Sequence, residues 1–285
     1  MNSIPRRHHM VPQCYLNYFV NENRRINVFD IMQLCEYYSS PKDLAVRRDY
    51  YRDYLKNDEF IWEEHYSAIA ESILPKTFDY IINKSVHAKS GEKILTDVIK
   101  NNMALIIITQ LFRTEKWRYH SYKTFSPEIP LILNGFKEKL QLLEKRCGKG
   151  YFSEKGIEAF ARNQYLEFAN SEFILYTHRQ ILLDRTWIIF RSIKNKKRIF
   201  SSDNSVLLYN IDLDSFDLAD NYINDLNNTL FFPISTGILL MILPNNNTQL
   251  IDFCDYADCV LDGSEELFNF HNRGQMMQAS RQVFT

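Results

Sequence analysis

The densest run of chemically capable side chains lies at the start of the chain, Arg6-Arg7-His8-His9-Met10-Val11-Pro12-Gln13-Cys14-Tyr15-Leu16. Histidine changes charge near neutral pH and can give or take a proton in a transition state. Arginine holds a carboxylate or phosphate through a planar fork of donors. Neighbouring residues of an extended chain point to opposite sides, so one of His8 and His9 is expected to face a shared site, and His9 is preferred. Gln13 and Tyr15 follow within hydrogen-bonding reach of a substrate held there. Cys14 is a conceivable nucleophile, although a small cysteine in apolar surroundings more often packs than reacts.

Composition narrows the classes. The chain has 285 residues, enough for a sizeable core. Its net charge is -1, from Lys+Arg 34 against Asp+Glu 35, which gives no global pull on nucleic acid. Local basic pairs exist at Arg6-Arg7, Arg24-Arg25 and Arg47-Arg48, with a run from Lys194 to Arg198, and such pairs are usually solvated surface. The five cysteines, Cys14, Cys35, Cys147, Cys254 and Cys259, are odd in number and form no CxxC, which fits a reducing cytoplasm and not a disulfide framework. No signal peptide is expected, because the opening arginines are followed by histidines and not by an apolar run. The apolar stretch from Met103 to Phe112 is too short to span a bilayer, so no membrane partner is expected.

The elements that must position the opening segment can be read in order. Pro12 suits the first turn of a short helix through Tyr15 to Phe19. Arg25 to Asp30 alternates apolar and polar, the period of a strand. Asp58 to about Lys84 reads as a helix that Pro75 kinks or divides, with Glu64 and Glu71 two turns apart on one side. Glu92 to about Tyr122 reads as a central, buried helix, almost wholly apolar between Met103 and Phe112, with Gln110 and Arg113 three residues apart on one face. Those two must find partners, since an unpaired buried polar group costs roughly 1–3 kcal/mol. A third helix is expected from Pro127 to Arg146, and another from Glu154 to about Leu183 with Phe160, Tyr165, Phe168, Phe173 and Tyr176 as a core stripe. Thr186 to Phe190 and Arg198 to Phe200 read as a hairpin. Two further strands follow, over Leu230 to Ser235 and Gly237 to Ile242, and a closing helix covers Glu265 to Phe284. The expected fold class is α+β: a mainly helical N-terminal and middle part, a small antiparallel sheet near the C-terminus and a closing helix. The boundaries are a single compact domain over 1–285, with a helical part about 57–183, a sheet part about 185–262 and the helix at about 265–284.

Several of these stretches together resemble a bacterial family, the domain-of-unknown-function 4238 family. The resemblance is carried by His8-His9-Met10-Val11-Pro12-Gln13-Cys14-Tyr15-Leu16 with Phe19, by Ile69-Ala70-Glu71-Ser72 and by Gln110-Leu111-Phe112-Arg113-Thr114. Phe200-Ser201-Ser202-Asp203-Asn204, Phe232-Pro233-Ile234-Ser235 and Ala279-Ser280-Arg281-Gln282-Val283 complete it. The chain departs from the family where proline usually follows Arg-Thr and Ser-Asp-Asn; here Glu115 and Ser205 stand in those places. The resemblance singles out polar residues and implies no activity.

Gathered together, His8, His9, Glu71 and Asp203 form a candidate catalytic set, and Gln13, Tyr15, Gln110 and Arg113 a candidate substrate-binding set. Glu71 and Asp203 with a histidine would suit a divalent metal ion through mixed nitrogen and oxygen ligands. One expectation is a hydrolase acting on nucleic acid or nucleotide phosphoesters, a toxin or defence effector. The alternative is a non-enzymatic binding or regulatory module, in which the same residues are a structural polar core and Asp203 caps a turn. No Walker loop, GxGxxG, HExxH or GxSxG motif favours a known mechanism. A sealed, fully paired cluster would favour structure; an open cleft with unpaired groups would favour chemistry.

Overall fold

The computed structural model describes residues 7–51, 61–118, 145, 164–193, 197–216, 223, 225, 227–244 and 253–285. The helix expected over Pro127 to Arg146, the first part of the one from Glu154, and Arg6, Cys147 and Lys194 lie outside them. The chain opens with β1 (Arg7–His9), α1 (Gln13–Leu16) and a 3-10 turn, Asn17–Phe19. Pro12 occupies the N-cap of α1. Next come β2 (Ile26–Asp30), β3 (Cys35–Ser39), β4 (Val46–Arg48), α2 (Ile61–Tyr66), a π turn at Ser67–Glu71 and α3 (Leu74–His87). Pro75 falls in the first turn of α3, so it starts a new helix where its missing N–H costs nothing. β5 (Glu92–Lys93) precedes α4 (Asp97–Arg113), and α5 is Glu172–Leu183. Then follow β6 (Thr186–Arg191), β7 (Ser201–Ser202), β8 (Leu207–Asn210), β9 (Asn228–Ser235), β10 (Ile238–Leu243), β11 (Cys259–Asp262), α6 (Glu265–Gln278) and β12 (Gln282–Phe284). Thr96, Ser171 and Ser264 cap α4, α5 and α6 by accepting from the backbone N–H three residues on.

The strands build three sheets, and they correct the expected architecture. A two-stranded ribbon joins β1 to β4, a four-stranded sheet runs β3-β2-β12-β7, and a six-stranded sheet runs β5-β11-β6-β10-β9-β8. Sheet structure is therefore spread through the chain and is not a small C-terminal appendage to a helical front. The three-residue strands RHH, VRR and QVF are too brief to show a two-residue period. They are strands because distant segments supply their ladder bonds. β6 and the Arg198–Phe200 segment do not form a hairpin: β6 lies between β10, antiparallel, and β11, parallel. The closing helix ends at Gln278, and β12 then pairs with both β2 and β7.

The six-stranded sheet is covered on both faces, which explains apolar runs such as Ile-Leu-Leu-Met-Ile-Leu in β10. Trp187, Ile189, Phe232, Leu240 and Ile242 face the main core, with Phe78, Ile81 and Ile107 from α3 and α4. Alternate residues Ile188, Phe231, Leu239 and Met241 face a second core with Phe268 of α6. The aromatic stripe is not core. Tyr165 is buried, but Phe168, Phe173 and Tyr176 are 48%, 74% and 63% exposed.

Candidate functional site

Arg113 is the last residue of α4, and the apolar run before it carries it inside. Thr114 then leaves the helix in an extended conformation, its hydroxyl donating back to the Leu111 carbonyl. The guanidinium is 1% exposed. Nη1 meets Glu71 Oε1 at 2.7 Å, Nη2 donates to the His9 carbonyl at 2.8 Å, and Nε donates to the Tyr51 hydroxyl at 2.8 Å. Its Cζ lies 4.7 Å from the centre of the Tyr66 ring and 5.4 Å from that of Tyr51, within cation–π range. Glu71 reaches it from the end of the π turn, whose wider coil shifts the facing of the residues after α2.

The opening segment is tied down along this cluster. The Tyr51 hydroxyl donates to the His9 carbonyl at 3.0 Å. Its backbone N–H donates to His8 Nδ1 at 2.8 Å, so that nitrogen carries no proton. The His8 ring is fully buried and stacks on Tyr51 at 5.6 Å and 12°. One residue further, Gln110 Nε2 donates to the Met10 carbonyl at 3.3 Å, and the Met10 N–H donates to Ala45. His9 points the other way along β1. Its ring is half-buried, and Nε2 lies 3.2 Å from the Lys42 carbonyl. Burial pushes the His9 imidazole below its ordinary value, with the Lys42 carbonyl opposing, which keeps it neutral near neutral pH.

Glu71 and Arg113 thus meet, with His8, His9 and Gln110 beside them. Asp203 does not join them. Its Oδ1 accepts from the Ser280 N–H at 2.8 Å, and Oδ2 accepts from those of Arg281 and Gln282 at 2.8 and 3.0 Å. Burial pushes its carboxyl up to about 6 against the pull of these three amides. It anchors the turn into β12. Arg281, expected on the closing helix, lies in that turn, and its side chain pairs with Asp30. Tyr15 is also structural: its hydroxyl donates to the Pro233 carbonyl and accepts from Ser201 Oγ, both at 2.8 Å, inside the core. Gln13 is exposed on α1. Cys14 is half-buried, and burial, with Glu71, pushes its thiol up to about 11, so it is a poor nucleophile at neutral pH. The proposed metal ligands do not assemble, since Glu71 is held by Arg113 and Asp203 by backbone amides. Among the described residues, no group of three His, Cys, Asp or Glu could hold a metal ion.

Three residues of this region were not singled out from sequence. Tyr51 and Tyr66 enclose Arg113, and Glu63 lies near it on α2. Glu63 Oε2 is buried without a hydrogen-bond partner among the described residues. Burial pushes this carboxyl up to about 7, with Arg113 pulling down and Glu71 pushing up. The sequence showed Glu63 only as one acid on a helix; its neighbours come from α4 and the π turn.

The fold and cluster define a mixed helix–sheet protein in which a buried arginine fastens an N-terminal histidine segment. The chain belongs to the family described as Protein of unknown function (DUF4238), whose family model matches residues 7–285. No curated protein and no solved structure matches it.

Proposed function

We propose that the protein is a non-enzymatic binding or regulatory module, in which the His8–Tyr51–Arg113–Glu71 cluster is a structural clasp. The carrying observation is the saturation of Arg113: at 1% exposure, each of its three nitrogens already has a protein partner. A phosphate could reach this fork only by displacing Glu71 or the opening segment. Three of the basic side chains are already matched by acids: Arg7 pairs with Asp43, Arg47 with Glu115 and Lys197 with Glu265. Among the described residues no helix is long and apolar enough to cross a membrane. The free thiols of Cys14, Cys35, Cys254 and Cys259 support a cytoplasmic setting. The test is to offer the purified protein RNA, DNA and bis(p-nitrophenyl) phosphate, with and without magnesium or manganese. No turnover above buffer is expected. Turnover that disappears in His9→Ala and Glu63→Gln would overturn the module reading.

Glu63 favours a second reading, a hydrolase of nucleic-acid or nucleotide phosphoesters. A carboxyl near pKa 7 and a neutral imidazole that each feel the charge of Arg113 support a general acid and a general base around one guanidinium. In that case His9 takes the proton of the attacking water, Glu63 protonates the leaving oxygen, and Arg113 holds the His9 backbone in place without touching the phosphate. The same assay decides between the two.

A further inference from the structure

The face of the six-stranded sheet away from the clasp carries a cleft of about 470 Å³. Its walls include Tyr209 of β8, Thr229 and Phe231 of β9, Phe253, and Leu267 and Phe270 of α6. The volume falls within the roughly 300–1,000 Å³ of small-molecule sites. The walls are aromatic and already ordered: Phe270 meets Tyr209 at 4.9 Å, edge to face, and Phe231 at 6.0 Å. Such walls favour a flat ring presented in the same geometries.

The polar groups are unequal. The Tyr209 hydroxyl donates to Asp214, Asp262 pairs with Arg191, and Ser264 caps α6. Thr229 differs. It is 3% exposed, and its Oγ1 has no hydrogen-bond partner among the described residues. Residues two apart on a strand share a face, so Thr229 lies on the same side of β9 as the cleft-lining Phe231. A buried hydroxyl left unpaired is destabilising, and a ligand oxygen would relieve it. Asp214 and Asp262 beside the cleft disfavour an anion.

From these features we propose that the cleft binds an uncharged planar aromatic molecule bearing one hydroxyl or keto group, which pairs with Thr229. This goes beyond the module reading and stands apart from it, because the cleft and the clasp lie on opposite faces of the sheet.

The test uses 2-naphthol and 2-methylnaphthalene as probes, followed by calorimetric titration of the full chain. The wild type is expected to bind 2-naphthol about tenfold more tightly than its hydroxyl-free analogue, the effect of one added hydrogen bond. Thr229→Val keeps the shape and should erase that preference while still binding both. Leu267→Trp fills the cleft and should remove binding of both with little change in melting temperature. Absence of saturable binding by the wild type would overturn the proposal, and so would an intact preference in Thr229→Val. If Leu267→Trp fails to fold, mutual displacement of the two probes from the wild type is the required result, and independent binding overturns the proposal. None of these outcomes depends on the state of Arg113.

Discussion

At the scale of single residues, Arg113 does the most to hold distant segments together. It joins α4 to the π turn through Glu71, to the opening segment through the His9 carbonyl, and to Tyr51. Removing one member of a buried ion pair leaves the other uncompensated, so Arg113→Met is expected to lose about 3–5 kcal/mol in urea denaturation. Arg113→Lys should recover only part of that, since an ammonium cannot reproduce the three-way fork. Glu63 gives a pH signature. Its folded pKa, about 7, lies above the ordinary carboxylate value of 4.5. The stability it contributes is therefore complete below about pH 4.5 and is lost as pH rises through about 7. Glu63→Gln mimics the protonated acid. Its melting temperature should match the wild type in acid and exceed it above about pH 8. A constant offset across that range would show that the Glu63 carboxyl is not perturbed.

At the scale of elements, the short strands and the polar caps decide most. β12 is only three residues long, yet it pairs with β2 on one side and β7 on the other, with Val283 and Phe284 fully buried. Phe284→Ala should cost about 3–5 kcal/mol by chemical denaturation, the range of a large core truncation. α5 sets the opposite expectation. Phe173 and Tyr176 form part of an exposed aromatic face, so Phe173→Ser should change stability by no more than about 0.5 kcal/mol. A loss of several kcal/mol there would restore the stripe to the core. The caps at Thr96, Ser171 and Ser264 follow from local chemistry, as does the helix start at Pro75. The π turn at Ser67–Glu71 does not, because its extra residue is tolerated only where surrounding contacts fix the direction of Glu71.

At the scale of the whole molecule, the early strand β2 and the last strand β12 pair in the four-stranded sheet. Unfolding should therefore be one calorimetric transition; two resolved transitions would show separable units. Much of the chain is legible without coordinates. The period of two in Ile26–Asp30, the continuous apolar runs of β9 and β10, and the apolar run Met103–Phe112 that carries Gln110 all identify their elements. Glu71 and Arg113 are each recognisable as candidate residues, and the packing of the elements that carry them brings the two together. By itself the sequence determined that helices and the longer strands occur and roughly where, because propensity and apolar period act between residues a few positions apart, although α4 starts at Asp97 and not at Glu92, which lies in a strand. Only the tertiary structure decided that strands occur from Arg7 onward, that Asp203 fastens the turn into β12 rather than joining the histidines, and that Tyr51 and Glu63 crowd Arg113. Those outcomes depend on pairings across tens to hundreds of residues. Burial and hydrogen bonding choose such partners only when the whole chain closes, and no local pattern records the choice.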